Sequence, residues 1–285
     1  MTFVNAMSVD VEDYFQVSAF EPHIKRKDWD LWPQRVVTNT LRVLDMFDQY
    51  RVRATFFTLG WVAERYPNLV REIVRRGHEL ACHGYDHVRV NLQSLEEFRQ
   101  DVSRAKRILE DVSGVGVIGY RAPSYSIGPS NLWALTILEE LGFKYSSSIY
   151  PVRHDLYGWP EAPRFPFRPK QAPKLLEIPI ATVRLAKRNY PCGGGGYFRL
   201  YPYWLSRWAL RQINSKEGRP AAFYFHPWEI DPAQPRPQGI GLKTHLRHYL
   251  NLKRMEARLK ALLRDFCWDT VHNVFLKPAE CRSAA

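Results

Sequence analysis

Short β-prone runs alternate with amphipathic helical stretches along this chain, and no other feature constrains the fold as much. Seven runs are candidate strands, at residues 3–9, 54–59, 79–82, 117–120, 145–149, 175–178 and 221–225. Helical periodicity lies between the earlier runs, at residues 36–50, 61–76, 94–112 and 131–141. Such alternation is typical of parallel strands joined by crossover helices, so it predicts an α/β sheet or barrel.

The second half of the chain is less regular. Residues 151–173 are rich in Pro, Arg and aromatic residues without periodicity, and residues 193–196 are four consecutive glycines that predict a flexible or tightly turned loop. A basic helix is predicted over residues 245–266. We therefore expect the α/β sheet or barrel over residues 1–230 and a basic, helical C-terminal extension over 231–285 that packs on it.

The composition limits the class of protein. The 285 residues include 41 Lys and Arg against 29 Asp and Glu, a net charge of +12, and 45% are hydrophobic. This content argues against disorder, and no apolar run approaches the roughly 20 residues that span a bilayer. The N-terminus lacks the basic region and apolar core of a secretory leader. These features predict a cytoplasmic protein, with an association at the inner membrane surface left open.

Unusual polar residues follow several of the candidate strands. Asp10, Glu12 and Asp13 follow the first strand, and the pair His83 and His87 follows the third. Two more strands end at Arg121 and at His226. In parallel α/β folds the loops after the strands meet at one edge, where catalytic groups gather. The pattern therefore predicts a single pocket that contains carboxylates, imidazoles and a guanidinium.

These residue types fit metal-assisted hydrolysis of an amide or ester. His83 and His87 are four residues apart and can face one ion, and a carboxylate would complete an open, zinc-like site. Asp10 and Glu12 have the same parity on a strand, so both can face the pocket. One would bind the metal, and the other would accept a proton from water.

Each of these residues alone also has a structural explanation. An HxxxH pair is common on protein surfaces, Asp13 can cap a turn, Arg121 can form a surface ion pair, and His226 can be a satisfied core histidine. Their joint occurrence at successive strand ends is what favours an active site.

In this order, the motifs resemble the polysaccharide deacetylase family, also described as NodB-homology or carbohydrate esterase family 4 proteins. The resemblance rests on residues 8–15 (SVDVEDYF), the His83 and His87 pair, and residues 121–125 (RAPSY). Residues 146–151 (SSSIYP) and 223–226 (FYFH) add to it. The first segment is similar to the branch associated with exopolysaccharide and exosortase gene clusters. The resemblance implies a distorted (β/α)7 barrel.

The resemblance also implies residue roles. Asp10 matches the catalytic base, His83 and His87 match the metal ligands, Arg121 matches the arginine that orients the base, and His226 matches the catalytic acid. The family's second carboxylate position is Val11 in this chain. Strand parity therefore makes Glu12 the expected metal carboxylate, with Asp13 as the alternative. We expect Arg121 to hold Asp10 by a two-point hydrogen bond.

A second departure concerns the residue that orients the acid histidine. Many members of the family have an Asp where this chain has the serines 146–148. Either a serine or a distant carboxylate such as Asp155 or Glu177 is expected to take that role, or the pKa of the histidine is tuned differently.

Substrate contacts are expected from loop residues near the site. A backbone N–H at Tyr125 or beside it is expected to line the oxyanion hole, and the glycine run 193–196 is expected to form a substrate-side loop. The candidate substrate-binding residues are Tyr125, Ser148, Tyr150, Tyr197 and Trp228.

The predicted function is a metal-dependent hydrolase that removes N-acetyl groups from amino sugars of an exopolysaccharide or its precursor. The expected metal is Zn²⁺, with Co²⁺ or Ni²⁺ as alternatives, and the expected partner is a polysaccharide or a lipid-linked oligosaccharide. No nucleic-acid recognition motif is present, so no nucleic-acid partner is predicted. Two alternatives remain: a hydrolase of small cyclic amides or formamides with the same fold, and a carbohydrate-binding protein whose catalytic site has decayed.

Overall fold

A parallel sheet forms the centre of the molecule, as the alternation of strands and helices predicts. The structure is a computed structural model that describes residues 3–155 and 157–277. Its strands are β1 Val4–Val11, β2 Thr55–Thr58, β3 Glu79–Cys82, β4 Gly119–Tyr120, β5 Tyr145–Ser146, β6 Leu176–Glu177, β7 Thr182–Leu185, β8 Arg188–Pro191, β9 Ala222–Phe225 and β10 Cys267–Asp269.

The strand order confirms the predicted distorted (β/α)7 barrel. Strands β1 to β6 lie side by side in chain order, and β9 pairs with β1, so seven parallel strands of the described residues form the barrel wall. Between β6 and β9, the Ala181 N–H donates to the Ala222 carbonyl at 3.0 Å, and the Tyr224 N–H donates to the Gly193 carbonyl at 2.8 Å. The glycine run therefore lies against β9 instead of forming a flexible loop.

Helices connect the strands and cover the sheet. They are α1 Val36–Tyr50, α2 Gly60–Arg65, α3 Pro67–Arg75, α4 Leu95–Ser113, α5 Trp133–Glu140, α6 Gly195–Leu200, α7 Tyr203–Arg211, α8 Leu242–Tyr249, α9 Leu252–Asp265 and α10 Val271–Phe275. The predicted helix over 36–50 is observed with the same bounds. Helix α4 begins with the capping box that the sequence predicts, in which Ser94 and Glu97 each accept a hydrogen bond from the other's backbone N–H.

Two predicted helices are each divided in the structure. The stretch 61–76 forms α2 and α3, because Pro67 cannot donate a backbone hydrogen bond and begins a new helix. The stretch 245–266 forms α8 and α9, separated at Asn251, whose φ of 55° is left-handed.

A β-hairpin, β7 and β8, is absent from the sequence prediction. Its turn places Ala186 and Lys187 at φ 45° and 66°. Such turns usually carry Asn or Gly, so this one has no recognisable signal in the sequence. Helices α6 and α7 and strand β10 were also not predicted.

The C-terminal segment contributes side chains to the hydrophobic core of the barrel and a strand to its sheet. Met255, Leu259 and Leu262 of α9 are fully buried in the same cluster as Met7 and Val9 of β1. Strand β10 pairs in parallel with residues 4–6 of β1. The proposed domain boundary at 230/231 stays a prediction, and residues 278–285 of the expected extension lie outside the described residues. In the part of the chain that the structure describes, no helix is long and apolar enough to cross a membrane.

Candidate active site

The polar residues predicted at the strand ends lie together at the carboxyl edge of the sheet. Asp10 is near the end of β1, and Glu12 follows it after a tight turn in which the Glu12 N–H donates to the Asp10 carbonyl at 3.0 Å. Both carboxylates face the same histidine: Nε2 of His226 lies 3.5 Å from Glu12 Oε1 and 4.0 Å from Asp10 Oδ2. Both side chains therefore face the pocket as the sequence predicts, although Glu12 reaches it from the turn and not from the strand.

Glu12, His83 and His87 form a candidate metal site. Each offers one ligand atom, and these atoms lie within 4.8 Å of one another. All three side chains are buried. Two imidazole nitrogens and a carboxylate oxygen, with room for a further ligand, are the donor set of a catalytic zinc site.

The orientation of His83 supports a role as a ligand. Its Nδ1 lies 2.8 Å from the carbonyl oxygen of Arg121, which makes Nδ1–H the donor and leaves the Nε2 lone pair free. Metal-binding histidines are commonly held in this way. Burial lowers the pKa of His83 to about 4 despite the nearby carboxylates of Asp10 and Glu12, so at neutral pH the ring is in the uncharged, ligating form.

His87 reaches the site from a constrained loop. Its φ is 59°, in the left-handed region. The loop is fixed to the start of α2, because the N–H groups of Gly60 and Trp61 donate to the carbonyls of Gly84 and Tyr85. The structure therefore holds both histidines through a tight loop. One turn of helix is the other arrangement in which residues four apart can face one ion.

Unsatisfied polar atoms at this site fit a bound cation. Glu12 Oε2 lies 2.9 Å from His87 Nε2, yet it makes no hydrogen bond of acceptable geometry and has no access to solvent. Burial opposes charge on Glu12, but His87, His226 and His83 outweigh it and lower the pKa of Glu12 to about 2. A buried, ionised carboxylate without a full set of partners is the group that a cation would satisfy.

Asp13, the alternative carboxylate, is engaged elsewhere. Its Oδ1 accepts a hydrogen bond from the Tyr14 N–H, and its Oδ2 accepts from the N–H groups of Arg35 and Val36. Asp13 therefore caps a short 3-10 helix and ties the chain to the start of α1.

Arg121 holds Asp10, but by a single hydrogen bond. Nη1 of Arg121 donates to Asp10 Oδ1 at 2.5 Å and to Ser8 Oγ at 2.9 Å, while Nε and Nη2 donate to the carbonyl and hydroxyl of Ser147. The expected two-point contact with Asp10 is therefore wrong, because Ser147 takes the other edge of the guanidinium. Asp10 Oδ2 makes no hydrogen bond within the described residues and faces His226.

His226 is oriented by Glu229, which the sequence analysis missed. Nδ1 of His226 lies 2.8 Å from Glu229 Oε1, so Nε2 faces Asp10 and Glu12. Burial opposes charge on His226, but Glu12, Glu229 and Asp10 outweigh it and raise its pKa to about 9. The spacing carried a signal: Glu229 is the N3 residue of a 3-10 helix that starts after His226, a capping-box position from which a Glu side chain reaches back.

The three candidates named for this role are wrong. Asp155 pairs with Lys243 and Arg247, and Glu177 accepts hydrogen bonds from the N–H groups of Ser148 and Ile149. The serines are also engaged elsewhere: Ser147 contacts Arg121, and Ser148 Oγ accepts a hydrogen bond from the Ala122 N–H, with Ser146 Oγ donating to it.

Glu229 is itself held by a buried ion pair. Nε of Arg199, on α6, lies 2.6 Å from Glu229 Oε2, and neither residue is more than 2% exposed. The remaining guanidinium nitrogens of Arg199 donate to the carbonyls of residues 247, 248 and 250. Arg199 is thus fully satisfied, as a buried charge must be.

The glycine run makes room for this ion pair. A Cβ on Gly195 would lie 2.1 Å from Glu229 Oε1, one on Gly194 would meet the Tyr224 ring at 2.7 Å, and one on Gly193 would meet the Ala222 carbonyl oxygen at 2.6 Å. The run therefore allows close approach to β9 and to Glu229. Its role as a substrate-side loop stays a prediction.

Of the predicted substrate-binding residues, Trp228 packs on the acid histidine. Its ring stacks on His226 at 5.0 Å and on His248 at 4.2 Å, and its Nε1 donates to Glu12 Oε1 at 3.3 Å. Only 5% of Trp228 is exposed. Little of its surface is left for a sugar.

The other predicted substrate contacts differ in exposure. Ser148 and Tyr150 are fully buried, Tyr125 is 4% exposed, and Tyr197 is half-buried on α6. The N–H of Tyr125 donates to the Ala122 carbonyl within the chain. An oxyanion hole lined by a backbone N–H at or beside Tyr125 stays a prediction. The substrate-binding roles of all five side chains stay predictions.

The fold and this site define the class: a (β/α)7-barrel protein with a candidate metal site at the carboxyl ends of its strands. Residues 29–146 match the family model described as polysaccharide deacetylase, and residues 147–276 match a domain of unknown function, DUF3473. The chain therefore contains a polysaccharide deacetylase domain over residues 29–146. The exosortase-associated branch stays a prediction.

Curated relatives match part of the chain. A Bacillus cereus protein named peptidoglycan-N-acetylglucosamine deacetylase is 34% identical over 96 residues, which cover 33% of this chain and 35% of that protein. A Helicobacter pylori protein named peptidoglycan deacetylase is 30% identical over 108 residues, which cover 38% and 36%. Each of these two matches therefore spans about a third of the relative's own length.

A solved structure matches nearly the whole chain. It is a Mycobacterium smegmatis protein assigned as a polysaccharide deacetylase, with a TM-score of 0.62 and 20% identity, and the match covers 96% of this chain and 88% of that one. At this identity the likeness shows the fold alone, and it agrees with the barrel described above.

Proposed function

We propose that the protein is a divalent-metal-dependent hydrolase that removes N-acetyl groups from amino sugars of an exopolysaccharide or its precursor. The observation that carries the proposal is the convergence of Glu12, His83 and His87, with their ligand atoms within 4.8 Å, beside Asp10 and His226. The match of residues 29–146 to the polysaccharide deacetylase model and the names of the curated relatives support an N-acetylated amino sugar as substrate.

The donor set favours Zn²⁺, with Co²⁺ or Ni²⁺ as alternatives. A cation bound by Glu12, His83 and His87 would supply Lewis-acid polarisation of the acetyl carbonyl. The chain's own residues would move the protons. Asp10 accepts a proton from the attacking water through Oδ2, the oxygen that does not contact Arg121. Arg121 fixes the direction of the Asp10 carboxylate through its hydrogen bond to Oδ1.

His226 would act at the other end of the reaction. Glu229 accepts the Nδ1 proton, so Nε2 is the nitrogen that faces the site and donates a proton to the departing amine. Water and the amide are consumed, and acetate and a free amino group on the sugar are formed. The metal ligands and the base lie on or after β1 and β3, and Arg121, which positions the base, follows β4. The acid and its partners lie after β9 and on α6.

Acetate release tests the activity. Wild type and Asp10→Asn would be incubated with chitohexaose and with acidic N-acetylated oligosaccharides, and acetate would be measured. We expect release by the wild type and a loss of about a thousandfold in the variant. Equal release by both proteins would show that Asp10 is not the base, and no release from any oligosaccharide would refute the proposed substrate class.

Metal analysis tests the ligand set separately. Glu12→Gln should lose the metal that copurifies with wild type, whereas Asp13→Asn, its neighbour and matched control, should retain it and only lose thermal stability. Metal retained in Glu12→Gln and lost in Asp13→Asn would instead assign Asp13 as the ligand.

A further inference from the structure

A large, positively charged cleft lies beside the proposed catalytic site. It has a volume of about 1060 Å³, and we call it the basic cleft. Its lining comprises residues 151–153, 160–165 and 187–191 together with Arg184, Tyr197 and Tyr201. The volume is at the upper end of the roughly 300–1,000 Å³ typical of ligand pockets. No residue with a proposed catalytic role lines it.

Charge in the basic cleft is strongly unbalanced. Arg153, Arg164, Arg184, Lys187 and Arg188 line it, against one carboxylate, that of Glu161. Arg164 is paired with Glu217. The other four cations are exposed and form no ion pair with any described residue. Uncompensated guanidinium groups around a concave surface attract carboxylates, which they can bind by paired hydrogen bonds.

Aromatic side chains lie among these cations. Tyr190 is 41% exposed on β8, and Tyr197 and Tyr201 lie one helical turn apart on the opposite wall, with ring centroids 5.9 Å apart. Exposed tyrosine rings provide flat apolar surface with a polar end, which suits the faces of sugar rings. Cations and tyrosines together favour a sugar that carries negative charge.

The basic cleft is a defined structure and not only a group of mobile side chains. Nδ2 of Asn189, on β8, donates to the carbonyls of Pro151 at 3.0 Å and Pro160 at 3.3 Å. This clamp fixes the β7–β8 hairpin across the segment 151–165. The positive groups of the hairpin are therefore held at one side of the cleft.

Two structural connections place the basic cleft next to the active site. Pro151 and Val152, in its wall, follow Tyr150, whose ring lies 5.6 Å from that of Tyr125 under the site. Helix α6 is shared, because Tyr197 lines the cleft while Arg199 holds Glu229. The cleft therefore shares wall segments with the structure that supports the active site.

We infer that the basic cleft binds an acidic stretch, of the uronic acid type, of the same polysaccharide whose N-acetyl group enters the active site. This inference rests on the proposed function. It makes the substrate an anionic polysaccharide that contains both carboxylated and N-acetylated sugars. It also gives a location to part of the +12 charge of the chain.

Binding to defined oligosaccharides tests the inference. The probes are hyaluronan hexasaccharide, which alternates glucuronate with N-acetylglucosamine, hexagalacturonate, which has the charge alone, and neutral chitohexaose. Calorimetric titration of the full chain should show tighter binding of the two acidic hexasaccharides than of chitohexaose. This preference should weaken as salt is raised, because exposed charges are screened.

A hairpin variant locates the site. Arg184→Gln/Lys187→Gln/Arg188→Gln removes three exposed cations of the basic cleft. The matched control, Lys27→Gln/Lys253→Gln/Arg254→Gln, removes three exposed cations that lie outside it and form no ion pair with residues 3–155 or 157–277. We expect the hairpin variant to bind the acidic hexasaccharides about tenfold more weakly than wild type, and the control to bind as wild type does. Chitohexaose binding should be equal in all three proteins.

The outcomes separate this inference from the proposed function. Equal weakening in the hairpin variant and its control, or failure of both acidic probes to bind, would overturn the inference, whatever chitohexaose shows. Loss of binding to vesicles of anionic lipid in the hairpin variant, with no binding of acidic sugars, would overturn it in favour of a membrane surface. If hexagalacturonate binds wild type more tightly than the hairpin variant but wild type releases no acetate, the inference about the basic cleft stands and the proposed hydrolysis is refuted.

Discussion

The two halves of the molecule contribute different parts of the candidate active site. The first half, residues 3–146, provides Asp10, Glu12, His83, His87 and Arg121, all on or directly after strands. The second half, residues 147–277, provides His226, and it holds this residue through Glu229, which lies 30 residues from its partner Arg199. The first half therefore depends on local motifs, and the second depends on contacts between distant segments.

The largest expected effect tests whether the first half alone holds the metal. His83→Gln removes one of three ligands and should lower activity by at least about a thousandfold, because Lewis-acid assistance is lost. Metal content measured by mass spectrometry should fall in parallel. His23→Gln, an exposed histidine of the same half, is the control and should match wild type in both measurements. A full metal content in His83→Gln would contradict the assignment.

The next effect should leave the metal in place. His226→Asn removes the proposed acid from the second half, so kcat should fall by about a hundredfold or more. Because His226 is not among the three ligands, metal content should equal that of wild type. Loss of metal in this variant would contradict the proposal that the first half alone provides the metal ligands.

Acid stability provides a comparison outside the active site. His78, in the first half, is 6% exposed, and burial lowers its pKa to about 4. An unfolded chain binds a proton at this residue below pH 6.5, but the folded chain does so only near pH 4. The folded state therefore has its full stability above pH 6.5, where His78 is uncharged in both states. The contribution of His78 to this stability is lost as the pH falls towards 4.

Because of His78, the free energy of unfolding should be about 2 kcal/mol smaller at pH 5 than at pH 7.5. Urea unfolding at the two pH values would measure the loss. His78→Gln should have a correspondingly smaller pH dependence than wild type, whereas His23→Gln should keep the full dependence. An unchanged dependence in His78→Gln would exclude His78 as the source.

The smallest expected effect concerns the residue that positions the acid. Glu229→Gln keeps an oxygen near His226 Nδ1 but removes the charge that pairs with Arg199, so kcat should fall about tenfold with KM unchanged. Asp155→Asn, at a position once expected to orient His226, should retain wild-type kcat. If Glu229→Gln raised KM and left kcat unchanged, Glu229 would act on substrate binding and not through His226.

The sequence predicted the first half in most of its detail. The strands before residue 146 lie within a few residues of their predicted bounds, and Asp10 and Glu12 both face His226 as predicted, although Glu12 does so from a turn. These results follow from local rules, because side chains alternate along a strand and the ends of parallel strands meet at one edge. The single hydrogen bond between Arg121 and Asp10 was beyond such rules, since it depends on Ser147 from another strand end.

Much of the structure of the second half cannot be predicted from local sequence rules. The β7–β8 hairpin has no Gly or Asn in its turn, and β10 is three residues long. The glycine run looked flexible because its partners, Tyr224 and Glu229, are brought to it only by the folded barrel. Glu229 was the avoidable omission, since its capping-box spacing after His226 is visible in the sequence.

The close contact at Gly195 has a consequence for related sequences. Its missing Cβ leaves the space that the Glu229 carboxylate occupies, with 2.1 Å between the Cβ position and Oε1. Neither position can change freely while the other is kept. Among homologues, a larger residue at position 195 should occur together with a shorter side chain at 229. A survey of sequences would therefore find these two positions varying as a pair, although 34 positions separate them.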